Sequence, residues 1–172
     1  MLGMRRERLA AGLGCGYCHF MASAHEKKFT EGVQPFLEEG EEVLASSIAQ
    51  AKGFSRMMVS GLQLGQSQVA GSTAAAESGE VRVDNPMAIV LTNRRLLTVK
   101  ISAPIGLGMG GNVKELMTAI PLTEVDSIEV KKIALRQNIT LIVRGVEIPL
   151  ETNAKANARG LADEFARMKA AA

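Results

Sequence analysis

Three short stretches carry residue types that could do chemistry. The first is Cys15-Gly-Tyr-Cys18-His19, a Cys-x-x-Cys-His match. Two thioether bonds and an axial imidazole would make it a c-type haem site. Such a site also needs a second axial ligand and helices wrapped around the haem. The rest of the chain instead has a mostly β pattern poor in aromatics, with no Trp, one Tyr and five Phe in the whole sequence. A zinc site from Cys15, Cys18, His19 and His25 lacks the usual spacing of a second ligand pair. Redox chemistry at Cys-x-x-Cys asks for a strand before the motif and a helix after it, and neither is apparent. The second stretch, Gly106-Leu-Gly-Met-Gly-Gly111, has the Gly-x-Gly-x-x-Gly spacing of a dinucleotide-binding turn. Ser102–Ile105 separate it from the preceding strand, Pro121 cuts short any following helix, and no second β-α-β unit comes after it. The third is Arg94-Arg95, a pair able to grip a phosphate or carboxylate, and equally able to sit as a solvated turn that discourages edge aggregation. Lys131-Lys132 reads as solvated surface. His19, His25 and both cysteines fall within the first 28 residues, so the body has no nucleophile–base pair. The expectation is a non-enzyme with no cofactor and no metal.

Charge divides the chain the same way. Residues 1–28 hold five basic and two acidic side chains, net +3, and the other 144 hold 15 basic and 16 acidic, net −1. The body is therefore near neutral. With few aromatics to stack on bases, nucleic acid is not expected as a partner. Without cysteines the body has no disulfide, which fits a reducing compartment.

Residues 1–28 admit three readings: the haem segment, a signal peptide with Ala22-Ser23-Ala24 as its cleavage site, or an upstream extension with Met21 as the start. The apolar stretch from Leu9 to Met21 is broken by three glycines and His19, a poor signal core. Composition also shifts near Met21. The third reading is taken: 1–28 is a leader, disordered or not part of the native protein, and 29–172 is the domain.

Within the domain, Phe29, Val33, Phe36 and Leu37 share a helical face, predicting a short helix over about 31–39 that stops at Gly40. A strand is expected over about 42–51. Residues 53–80, rich in Gly and Ser, read as a long loop or insertion. Ala88–Leu91 and Leu96–Ile101 predict a hairpin with one buried face, turning at Asn93, which tolerates positive φ. Two more strands are expected in KELMTAIPL and TEVDSIEVKK, with Ile128 and Val130 on one face. NITLIVRGVEIPLE is a second hairpin with Arg144-Gly145 at its turn. Ile139, Leu141 and Val143 form one arm, Val146, Ile148 and Leu150 the other, and Pro149 suits an edge. Asn153 is the expected cap of a closing helix whose Ala158, Leu161, Ala162, Phe165 and Met168 share one face.

About seven antiparallel strands in hairpin succession, a short N-terminal helix and one C-terminal amphipathic helix make a mainly β (α+β) fold, with the last helix plugging a barrel. GEEVLAS (40–46), AIVLTNRRLLTVK (88–100), IPLTEVDSIEV (120–130) and TLIVRGVEIPL (140–150) resemble the bacterial branch of the pleckstrin-homology-like superfamily. The resemblance implies a capped β-barrel and a module that binds lipids, peptides or other subunits without catalysis. It departs from the phosphoinositide-binding pattern, because no dense Lys/Arg cluster spans the first two strands; Lys52 and Arg82 are isolated in sequence.

The functional expectation is a binding or scaffold module in the cytoplasm, at the inner face of the membrane. It contacts a membrane surface, a peptide or its own copies through residues 53–80 and 102–113. Ile105, Leu107 and Met109 at the glycine loop, with Arg94 and Arg95, are the candidate contact residues. A homo-oligomeric structural assembly protein is the alternative; a c-type haem or dinucleotide-binding protein ranks below both.

Overall fold

The structure is a computed structural model that describes residues 24–53, 81–102, 112–134, 136–154 and 156–171, with backbone alone for 24–28. Helix α1 (Ala24–Val33) leads through a 3-10 turn (Gln34–Phe36) into seven strands: β1 (Val43–Ala51), β2 (Met87–Thr92), β3 (Arg95–Ile101), β4 (Val113–Pro121), β5 (Val125–Ile133), β6 (Arg136–Val143) and β7 (Val146–Asn153). Helix α2 (Ala158–Ala171) closes the chain. The strands lie in the order β4-β3-β2-β1-β7-β6-β5, every ladder antiparallel. Strand β1 is the seam. It pairs with β2 along most of its length, but with β7 only through Gln50–Glu151 and Ala51–Leu150.

Two apolar clusters result. The inner one gathers Ala49, Met87, Ile89, Leu91, Leu96, Ile128, Ile139, Leu141, Ile148 and Leu150 from both halves of the sheet. Helix α2 packs against β1 and β5 and adds Ala158, Leu161 and Phe165 to that cluster, with Ala162 and Met168 beside them. The amphipathic face read from the sequence is thus the face that docks. The outer cluster places Val33 over Ala88, Val90, Leu97, Val99 and Ile101, with Phe29 and Leu37 alongside.

That second cluster corrects the expectation of a hairpin with one buried face. All six residues of β2 are buried, and Thr98 on β3 is buried too. The uninterrupted Ala-Ile-Val-Leu run is the pattern of a strand covered on both sides. Thr98 satisfies its hydroxyl by donating to the Arg82 carbonyl, at 3.4 Å.

The first helix begins and ends earlier than the expected 31–39. Pro35 has no N–H, and its ring would clash with the carbonyl four residues back, so the α-helix stops at Val33 and the proline enters a new tight turn. Gly40, at φ +72°, forms a separate turn before β1. The cap of α2 also differs: Asn153 ends β7, and Asn157 stands immediately before the helix, its side chain folded against Gly160 in the first turn. Asn93 does not take positive φ. Its side chain instead accepts from Glu42 N–H and donates to the Gly40 carbonyl, both at 3.1 Å.

In the second hairpin, Val146 shares the face of Ile148 and Leu150 but is exposed, because it adjoins the turn. Pro149 lies in an interior strand, not at an edge. Its carbonyl accepts from Lys52 N–H where β1 has just ended, so its nitrogen faces the same side, past the β1 ladder. Arg144 and Gly145 form the turn at φ +49° and +77°, the two positive values of a primed turn. Glu124 holds Arg144 at 2.6 Å, and Asp126 accepts from Gly145 N–H at 2.7 Å. A Cβ at Gly145 meets nothing within 4 Å, so Gly145→Ala tests backbone strain alone. It should cost about 1 kcal/mol, read as a lowered urea midpoint with unchanged slope.

Candidate functional site

Polar side chains converge at three places. At the β2–β3 turn, Glu41 is fully buried by its side chain and receives a forked grip from Arg95: Nε to Oε1 at 3.0 Å and Nη2 to Oε2 at 2.5 Å. Thr92 donates to Oε1 at 2.6 Å and Glu38 N–H to Oε2 at 2.8 Å. Arg95 also donates to the Phe36 carbonyl at 3.2 Å and pairs with Glu38 at 2.8 Å. The hydrogen bonds from Arg95 outweigh burial and hold the Glu41 carboxyl down at about 2. The Thr92 hydroxyl accepts from the N–H groups of Arg94 and Arg95, which tightens the two-residue turn. This cluster fastens the segment before β1 to the hairpin.

The second place is the opposite end of the same half-sheet. Antiparallel pairing of β1 to β4 puts Lys52, Met87, Ile101 and Val113 at one end. Residues 103–111 leave and return at that end, whereas 54–80 leave there after Gly53 and return at Val81, buried in the inner cluster, with Arg82 bonded to Thr98 and Thr118 midway along β3 and β4. Asn85 accepts from Ala51 N–H at 2.8 Å, and Ser102 and Asn112 exchange hydrogen bonds at 2.9 and 2.8 Å. Lys100 pairs with Asp84 at 2.7 Å and Arg82 with Glu115 at 3.7 Å. Burial pushes the Asp84 carboxyl up, but the Lys100 ammonium and Asn85 N–H overcome it and the net shift is downward. The bond to Asp84 in turn raises Lys100. Lys52 and Lys114 are exposed, so among the described residues of the strands and of 81–86 this rim carries Lys52, Arg82, Lys100 and Lys114 against Asp84 and Glu115.

The third place is a cleft of about 230 Å3 at the seam, lined by Ile48, Ala49, Gln50, Arg136, Glu151, Thr152 and Asn153. Glu151 comes after core-facing Leu150 and therefore points to the opposite sheet face, yet it is only 5% exposed. Gln50 donates to its Oε1 at 3.2 Å, and Arg136 stands 3.7 Å from its Oε2.

Of the residues singled out in the sequence, Arg94 and Arg95 lie together at the first place but diverge in role. Arg94 is exposed, whereas Arg95 grips carboxylates of its own chain. Ile105, Leu107, Met109, the glycine motif and the Cys-x-x-Cys-His motif lie outside the described residues. The roots of 103–111, at Ser102 and Asn112, stand at the far end of β3 from Arg95, about 20 Å along the strand. Glu41, Gln50, Arg136 and Glu151 were not singled out. Period-2 burial could have flagged Glu151, because it continues a strand as a charged residue, but its partner Gln50 lies 101 residues away. Among the described residues no group of three or more His, Cys, Asp or Glu side chains could hold a metal ion, and no helix is long and apolar enough to cross a membrane.

A seven-stranded antiparallel sheet with an amphipathic helix after its last strand defines the pleckstrin-homology class of fold. A family model described as "Bacterial PH domain" matches residues 37–165, and the chain belongs to that family. Similar solved structures include a DUF1696-family protein with a pleckstrin-homology domain from Shewanella loihica (13% identity, TM-score 0.41, 83% of this chain and 94% of that one). Another is a pleckstrin homology domain from Shewanella amazonensis (14% identity, TM-score 0.42, 82% and 95%). No curated protein matches the chain. PH domains are in general non-catalytic binding or scaffold modules.

Proposed function

We propose that this PH domain is a binding module that docks on an anionic membrane surface, at the cytoplasmic inner face, through the end of the sheet from which residues 54–80 and 103–111 depart. One observation carries the reading: the two glycine-rich segments, far apart in sequence, both leave the sheet at one rim, which bears Lys52, Lys100 and Lys114 and is reached by the Arg82 side chain beside Glu115. Lysine and arginine near an anionic surface each contribute about 1 kcal/mol. Ile105, Leu107 and Met109 supply apolar side chains for insertion. Arg94, at the other end of the half-sheet, is left for a separate protein contact. Edge pairing at β5 is disfavoured, because this outermost strand carries the charged side chains Glu129, Lys131 and Lys132.

Co-sedimentation with vesicles tests this. The protein should pellet with phosphatidylglycerol-containing vesicles, stay in the supernatant with phosphatidylcholine, and be released by salt. Reversing Lys52 and Lys114 to Glu should weaken partitioning by more than about tenfold. Equal retention on both vesicles, or none on either, would overturn the proposal.

A further inference from the structure

Residues 81–84 belong to no strand, yet their burial alternates. Val81 and Val83 are 2% and 5% exposed within the inner cluster, whereas the side chains of Arg82 and Asp84 reach solvent. That alternation is the pattern of an extended chain. Both main-chain polar groups of Arg82 are met by hydroxyls: its N–H donates to Thr118 Oγ1 at 3.0 Å, and its carbonyl accepts from Thr98 Oγ1 at 3.4 Å. Charges flank these bonds. Lys100 holds Asp84 at 2.7 Å, and Glu115 faces Arg82 at 3.7 Å.

Strand β4 is shaped for this contact. Thr98 and Lys100 share the face of Leu96 on β3. Glu115 and Thr118 have the spacing i, i+3 on β4, which a regular strand turns to opposite faces. Thr98 pairs with Thr118, Val99 with Leu116 and Lys100 with Glu115, so Met117 is an extra residue and the bulge returns both side chains to one face. The two hydroxyls take the backbone of a crossing chain, Glu115 takes a base and Lys100 takes an acid. Main-chain hydrogen bonds combined with places for alternate side chains are how a groove recognises an extended peptide.

We infer that these inner faces of β3 and β4 form a receptor for an extended segment of a partner protein, in the order apolar-basic-apolar-acidic, and that Val81–Asp84 fill it in cis as a displaceable plug. Displacement does not require the sheet to open, because residues 81–84 are part of no ladder. Both flanking salt bridges join exposed side chains and hold weakly. A peptide in trans competes with the plug, so its apparent affinity is reduced by the fraction of molecules in which the plug is open.

Native-state hydrogen exchange on the full chain is the first test. The Arg82 amide should exchange at least about tenfold faster than the Ile89 amide in β2, because the plug opens while the sheet stays closed. The second test titrates acetyl-Val-Arg-Val-Asp-amide into the native chain and into Val81→Ala/Val83→Ala, which weakens the plug and leaves the receptor intact. The variant should bind the peptide at least about tenfold more tightly than the native chain. Acetyl-Val-Asp-Val-Arg-amide, with the charges exchanged, should bind the variant at least about tenfold more weakly. Equal exchange of the Arg82 and Ile89 amides, or a folded variant with no preference for the first peptide, would overturn the inference. Exchange needs no variant and so decides the matter even where the variant fails to fold. No lipid is present in either test, so the vesicle result stands or falls separately.

Discussion

Phe165→Ala should lower the free energy of unfolding by about 3–5 kcal/mol, the usual loss when a buried aromatic ring is truncated. Phe165 is 4% exposed, one turn beyond the fully buried Leu161, and both belong to the inner cluster. The helix that carries them packs against β1 and β5, two strands at different positions in the sheet order. Truncating the ring therefore loosens a contact that spans the sheet. Lys169 sits 5.7 Å from the ring centroid and covers its outer side, a smaller contribution lost with it. Urea unfolding should show a lower midpoint with an unchanged slope, and Phe165→Leu should recover most of the difference. A neutral Phe165→Ala would mean that the closing helix does not support the sheet.

Arg95→Met should cost about 3–5 kcal/mol at neutral pH, because it leaves a buried carboxylate without its cation. Its pH dependence separates this cause from lost packing. In the native protein the Glu41 carboxyl is held at about 2, below its ordinary 4.5. A lowered folded-state value gives stability that is fully present above the unfolded value and is lost as pH falls from about 4.5 through about 2. Without Arg95 the largest influence lowering the Glu41 carboxyl is gone and burial is opposed only by Glu38 N–H and the Thr92 hydroxyl, so the variant loses less stability on acidification than the native protein. The gap between the two proteins should narrow steadily from pH 7 towards pH 2, measured by urea unfolding across that range. A gap independent of pH would assign the loss to the arginine's aliphatic stem instead.

Much of the fold was legible because strands with a period of two leave a local signature. Ile139, Leu141 and Val143 alternate cleanly, and the structure buries all three. The helical face of Leu161, Phe165 and Met168 was equally readable, since it depends on neighbours within two turns. What the sequence hid is non-local. Alternation in Leu97, Val99 and Ile101 revealed one buried face, but not that it is the outer face, covered by Val33 of the first helix, while Leu96 on the opposite face enters the inner core. The polar clusters were hidden for the same reason. Nothing in Glu41-Glu42 tells which carboxylate turns inward, because the answer lies in Arg95, 54 residues on. Arg94-Arg95 looked like a matched pair, yet the turn sends one guanidinium outward and the other onto Glu41.

The seam has a kinetic meaning. Every ladder in the sheet joins strands consecutive in the chain, except the pairing of β1 with β7. Residues 43–121 and 125–153 can therefore each zip into a meander by nearest-neighbour steps, with modest loop-closure entropy at each one. The pairing of Gln50 with Glu151 spans 101 residues and carries the largest loop-closure cost of any ladder in the sheet. Two backbone pairs are a small reward for so long a closure. Helix α2, anchored on β1 and β5 from the far end of the chain, is what holds the two meanders together at the seam.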